Sequence, residues 1–229
     1  LSEIWYVADG EVTVPETITV SGNVKLILKD GCSLMLNKGI QIFGNGTLTI
    51  YVQTEGTGKL ETPQMLPDRT PGIGVGETTA LTVHGGNIYA YGGKESAAIG
   101  GYDSAGNINC GTVTVYGGNI YATGGQNASG IGGAASYGCG GILTVYGGNI
   151  IAKGGRWGSG IGGNQLGSKG VLNVYNNCYI RAEGEDCGIC SEINLYPDRT
   201  KGGAPEIHIT ETGLNGVSKE IEGSPFTKK

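Results

Sequence analysis

The chain has 229 residues, a net charge of −5, 15% charged side chains and 46 glycines. It has no basic run to meet nucleic acid and no apolar run long enough for a membrane span. Seven prolines and no three-residue glycine period exclude collagen, while regularly placed Val, Ile and Leu exclude a disordered polar chain.

From Glu11 the chain reads "EVTVPETITVSGNVKLILKDGCSLMLNKGIQIFGNGTLTIY". Apolar and polar residues alternate with period two, which predicts strands. Ser-Gly, Asp-Gly, Lys-Gly and Asn-Gly are expected to break them into short, irregular coils. Next, "TPGIGVG" around Ile73 is a degenerate first copy of a longer repeat. Three near copies begin at Leu81, Val113 and Leu143, and "LNVYNNCYIRAEG" continues them. Val83, Val115, Val145 and Val174 recur at steps of about 30 residues, as do Ile88, Ile120, Ile150 and Ile180, and Ala90, Ala122, Ala152 and Ala182. Ile73, Ile99, Ile131, Ile161 and Ile189 form a fourth row.

Each copy holds strands of about three to five residues separated by Gly-Gly corners. One coil of about 30 residues with three short strands predicts an all-β chain: a single parallel β-helix, a three-sided solenoid. A propeller blade needs about 40 residues and four antiparallel strands. The expected division of this one domain is an N-terminal cap over 1–22, stacked coils over 23–213, and a C-terminal cap or tail over 214–229. The caps are expected because a solenoid end is an open sheet edge.

With Val83 and its equivalents inside, His84, Tyr116, Tyr146 and Tyr175 point outward. Tyr89 and Tyr121 form a second outward row, and Tyr91 opens a third. These seven residues are the candidate ligand-binding set, because a tyrosine ring offers a flat apolar face and a polar tip. The competing reading is that stacked aromatics only stabilise the sheet. Asn87, Asn119 and Asn149 are expected to form a hydrogen-bonded ladder, which resembles the asparagine ladders of pectate-lyase-like folds. "TLT" at 47–49 and "TVT" at 112–114 resemble the T-x-T arrays of β-solenoid ice-binding proteins. Ala80, Ile142 and Asn173 break that array here.

Catalytic patterns are sparse. Polygalacturonase-like enzymes combine N-x-D, D-D, G-H-G and R-x-K, and this chain has only Arg199-Thr200-Lys201. No catalytic residue is assigned. The one acidic cluster is Glu183, Glu185 and Asp186, which reads first as a solvated corner and second as oxygen ligands for calcium. No other cofactor is expected. Cys110 and Cys139 occupy matching places in successive coils, within disulfide reach. Cys178, Cys187 and Cys190 fall together, but a fourth zinc ligand is not evident. "LPDRT" at 66–70 and "YPDRT" at 196–200 read as matching excursions from the solenoid.

The "WYVADGEVTV…NVKLILKDGCSLML" opening followed by "LTVYGGNIYATGG…SGIGG" phrases resembles the glycine-rich, pectin-lyase-like β-helix regions of bacterial cell-surface proteins. Such regions are described as carbohydrate-binding or adhesion-like. The resemblance implies a right-handed coil, secretion or cell-surface display, and a place within a larger surface chain. It also implies a polysaccharide or host-surface ligand, without membrane insertion. The expectation is a non-catalytic glycan-binding or adhesive module. The alternatives are a polysaccharide lyase or hydrolase, or a passive spacer.

Overall fold

The computed structural model describes residues 3–102, 109–135, 137–164, 166–175, 178–185, 187–196, 207–212 and 218–222. The first coil carries β1 (Ile4–Ala8) and β2 (Glu11–Val14). The next two carry β3 (Ile18–Leu28) with β4 (Ser33–Leu36), and β5 (Ile40–Val52) with β6 (Lys59–Glu61). Four coils of three strands come after them. They hold β7 (Ile73–Val75), β8 (Ala80–Val83) and β9 (Asn87–Tyr91); then β10 (Ile99–Gly100), β11 (Thr112–Val115) and β12 (Asn119–Thr123). After these come β13 (Ile131–Gly132), β14 (Ile142–Val145) and β15 (Gly148–Lys153); then β16 (Ile161–Gly162), β17 (Gly170–Val174) and β18 (Cys178–Glu183). The last are β19 (Ile189–Leu195), β20 (Ile207–Thr212) and β21 (Ser218–Glu222).

Successive coils pair in parallel, so the chain is a parallel β-helix with three faces. A short face stacks β7, β10, β13 and β16; a tyrosine face stacks β8, β11, β14 and β17; an asparagine face stacks β9, β12, β15 and β18. The first two merge into one 12-stranded sheet, because β3, β5 and β19 run around the corner between them. Ser21-Gly22 and Asn45-Gly46 therefore bend continuous strands and do not break them. Nor is the third coil short: Ile40 pairs with Ile73, a step as long as those of the repeats.

The four predicted rows are in register. Val83, Val115, Val145 and Val174 are fully buried and pair rung to rung. The Ile88 and Ala90 rows do the same on the asparagine face, and the Ile73 row on the short face. They form one continuous core from Ala8 to Ile189. Burying each large aliphatic side chain contributes roughly 1.5–3 kcal/mol, and no single coil could close such a core alone.

The segment expected to cap the N-terminal end is instead the first coil itself. β1 pairs with β3 and β2 with β4, both in parallel. Ile4, Trp5, Tyr6 and Val7 stay exposed. At the other end β21 runs antiparallel to β20 and so occupies the outer edge of the asparagine face. Among the described residues no helix is long and apolar enough to cross a membrane.

Candidate binding site

Tyrosine follows the last inward valine of its strand, so each ring leaves the tyrosine face at the same rung position. Parallel pairing then brings the rings face to face. His84 and Tyr116 lie 4.8 Å apart, Tyr116 and Tyr146 4.8 Å, and Tyr146 and Tyr175 4.4 Å, with interplanar angles of 4°, 6° and 22°. The column is longer than expected. Tyr51 stacks on His84 at 4.5 Å, and Tyr196 stacks on Tyr175 at 4.8 Å. Trp5 adds a looser contact to Tyr51 at 5.7 Å. Both added tyrosines were visible in principle: Tyr51 follows "TLTI" as Tyr116 follows "TVTV", and Tyr196 follows "INL" as Tyr175 follows "LNV".

This geometry changes what the column offers. The flat faces of its inner rings are taken by neighbouring rings, so a ligand meets ring edges and phenol hydroxyls. Tyr116 and Tyr146 remain 48% and 40% exposed. Thr49, Thr82, Thr114 and Thr144 stand in register one column inward on the same face. Asn173 does not end that row but extends it: its amide reaches Thr144 Oγ1 at 3.4 Å, and Asn194 donates to Asn173 Oδ1 at 3.2 Å. Burial within the column lowers the His84 pKa, which favours a neutral imidazole between two phenol rings.

On the asparagine face Tyr89 and Tyr121 stack at 4.7 Å, and Lys59 Nζ lies 5.2 Å over the Tyr89 ring. Their column passes on to Ile151 and Arg181, which carry no ring. Tyr91 is set apart from both stacks, and its hydroxyl accepts from Gln64 Nε2 at 3.4 Å. The asparagine ladder is present: Asn119 donates to Asn87 Oδ1 at 2.9 Å and Asn149 to Asn119 Oδ1 at 2.8 Å.

The acidic cluster is drawn into other contacts. Glu183 pairs with Arg181 at 2.5 Å and Lys153 at 4.0 Å. Glu185 accepts the Trp157 backbone N–H at 3.1 Å. Asp186 lies outside the described residues. Among the described residues no three His, Cys, Asp or Glu side chains converge on one point as a metal site would require.

The disulfide is not where the spacing placed it. Cys110 and Cys139 do sit on adjacent rungs, with Cys110 N donating to Cys139 O at 3.1 Å, but both are free thiols. The bond joins Cys187 and Cys190, at the start of the short face in a later coil. Burial pushes the Cys110 thiol up to about 12 and Cys178 up to about 11, so neither is a nucleophile at neutral pH. Cys178 packs inside at the first position of β18. The "LPDRT" phrase is not an excursion either. Leu66 is buried, and Arg69 takes a corner position that later coils repeat. Of "YPDRT", residues 197–200 lie outside the described residues.

A buried polar cluster escaped the sequence. Ser129 Oγ lies 3.0 Å from Ser159 Oγ and donates toward Asn164 Oδ1 at 2.7 Å, while Asn164 Nδ2 donates to Asn127 O and Gly133 O at 3.0 and 3.1 Å. These groups bind one another and the backbone, which makes the cluster a clamp between coils. Serine and asparagine inside glycine-rich phrases give no sign of burial in the sequence.

The family model described as a beta helix repeat matches residues 81–105, 113–140 and 143–165, about a third of the chain. No curated protein and no solved structure gives a match.

Proposed function

We propose that this chain is a non-catalytic binding module that holds an extended polysaccharide, or a similarly repetitive surface ligand, along its tyrosine face. The observation that supports this reading is the column of six rings from Tyr51 to Tyr196, beside a column of threonines. Together they present hydroxyl groups at one-rung intervals on a rigid face. A polymer lying along the solenoid axis would meet a similar set of donors and acceptors from rung to rung, so weak contacts add through repetition. Display on a cell surface, as part of a longer chain, suits such a module and is part of the proposal.

A spacer is the second reading, and one observation favours it. The rings contact each other face to face, an arrangement that stabilises a sheet whether or not anything binds.

The test is a glycan array and a polysaccharide pull-down, with and without calcium, on the parent and on a Tyr116→Ser, Tyr146→Ser double variant. The variant is expected to fold. It should lose roughly 0.5–1.5 kcal/mol for each of the three ring contacts removed. The binding reading expects the variant to lose the parent's glycan ligand. Equal binding by both proteins would take the tyrosine face out of the site, and no binding by the parent would leave the spacer reading standing. A calcium requirement would redirect attention to Glu183 and Glu185.

A further inference from the structure

The first coil is incomplete. Among the described residues it supplies β1 to the tyrosine face and β2 to the asparagine face, but nothing to the short face. The outer edge of the solenoid therefore runs along β2, round the corner at Glu16 and along residues 18–21 of β3. On its inner side this edge pairs with β4 and β5. On its outer side no described strand pairs with it. Ile18 N donates inward to Gly39 O at 3.1 Å. Successive peptide groups of a strand alternate in direction, so the N–H and C=O of Thr19 face the open side, as edge groups do.

Behind this edge lies a hollow of about 420 Å³, whose lining includes Ile4, Val12, Ile18, Val20 and Ile40. Val12, Val14 and Ile18 pack against the core but are only partly buried. Their register partners one rung further in, Leu34, Leu36 and Ile40, are buried. The difference between the two sets is a covering rung. The charge at this end has one sign. Residues 3–17 carry Glu3, Asp9, Glu11 and Glu16 and no Lys or Arg. The second coil answers from the inner side, with Lys25 on Glu3 at 2.7 Å, Lys29 on Asp9 at 2.6 Å and Lys38 on Glu16 at 2.6 Å. The Glu16 side chain still stays 76% exposed.

We propose that this edge is a strand-addition site for an extended, lysine-bearing segment of another protein, which pairs in parallel with residues 11–21 and closes the hollow. Register dictates the chemistry of that segment. It carries aliphatic residues over Val12, Val14, Ile18 and Val20, and a lysine over Glu16. Residues 33–43 of this chain, "SLMLNKGIQIF", make that set of contacts from the inner side, so they are a template for the missing rung. Charge argues against a second copy as the occupant. Two such ends brought together would set carboxylates against carboxylates. The outermost strand at the other end, β21, reads Ser-Lys-Glu-Ile-Glu and offers one aliphatic residue. The site does not depend on the tyrosine face.

The experiment titrates the folded chain into a fluorescein-labelled synthetic peptide of the sequence SLMLNKGIQIF and follows its anisotropy. The controls are the same peptide with Lys38→Glu and a peptide of the reversed sequence, which keeps composition and loses register. The template peptide is expected to bind with a Kd of about 100 μM or below. The reversed peptide should bind at least about tenfold more weakly. The Lys38→Glu peptide should bind roughly twofold to fivefold more weakly, as an exposed ion pair allows. Thr19→Pro in the protein removes an outward N–H on an edge strand and should weaken the template peptide by at least about tenfold. Amide hydrogen exchange on the parent supplies a readout that does not depend on that variant folding: the peptide should slow exchange at Thr13 and Thr19 and leave the tyrosine face unchanged. No binding, equal binding of the reversed peptide, or protection elsewhere than residues 11–21 would each overturn the site. Sedimentation of the protein alone completes the test. Self-association that protects the same amides would overturn the partner strand in favour of a second copy.

Discussion

Two glycines that look alike in the sequence have opposite tolerances. A Cβ on Gly125 would overlap the carbonyl oxygen of Gly93 in the coil below, and one on Gly155 would overlap that of Gly125. The coils pass too close at this corner for any side chain. At Gly117 a Cβ would meet only His84 O, at an ordinary 3.4 Å. Gly125→Ala is therefore expected to destabilise by about 3 kcal/mol or more. Gly117→Ala should be neutral or stabilising by about 0.4–1 kcal/mol, through a less flexible unfolded chain. Urea unfolding midpoints of the two variants check the pair, and similar midpoints would refute the close-approach argument. The sequence cannot separate these glycines, because the difference lies in a carbonyl contributed from another coil.

At the level of the strand, the columns were legible wherever the period was strict. The Val83, Ile88, Ala90 and Ile73 rows come from alternation plus a near-constant step. Tyr196 was missed because its coil is short, so Leu195 pairs with Val174 well inside the usual step, whereas Tyr51 keeps the step, with Ile50 paired to Val83, and was missed because its coil lacks the Gly-Gly phrases that mark the copies. His84 is the one break in the run of phenol rings from Tyr51 to Tyr196, and it gives the column a pH dependence. Burial lowers its folded-state pKa below the ordinary value of about 6.5. The unfolded chain then binds the proton more readily, so stability rises with pH across that window. The full contribution is present above about pH 6.5 and is lost as pH falls through the lowered folded value. His84→Tyr should remove this slope and complete the phenol column. Thermal unfolding from pH 5 to 8 tests it, and an unchanged slope in the variant would assign the dependence to other groups.

For the whole molecule, stability is close to a sum of coils and the contacts between neighbours. Val113 and Leu143 are register partners, as are Val113 and Leu81. Deleting residues 113–142 would join Thr112 to Leu143 with every inward row still aligned. The shortened chain is expected to fold as a parallel β-helix one rung shorter, with a lower unfolding temperature and the same type of circular dichroism spectrum. A collapsed or aggregated product would show that the coils are less interchangeable than their register implies. The ends were the least legible part of the molecule. Alternation marks Glu11–Val14 as strand, but whether a strand covers a stack or begins it depends on pairing that a single sequence does not display. The first coil leaves an apolar cavity of about 420 Å³ at this end, lined by residues such as Ile4, Val12, Val20 and Leu26.

The tyrosine column also has an optical consequence. Rings held nearly parallel and 4.4–4.8 Å apart are close enough to couple electronically. Trp5, stacked on Tyr51 at one end, is the acceptor of lowest energy in that line. Light absorbed by Tyr51 therefore drains toward that indole, while excitation from Tyr116 onward must cross the His84 imidazole, which does not absorb with the phenols, so the emission of Trp5 reports whether the rings at this end hold their rungs.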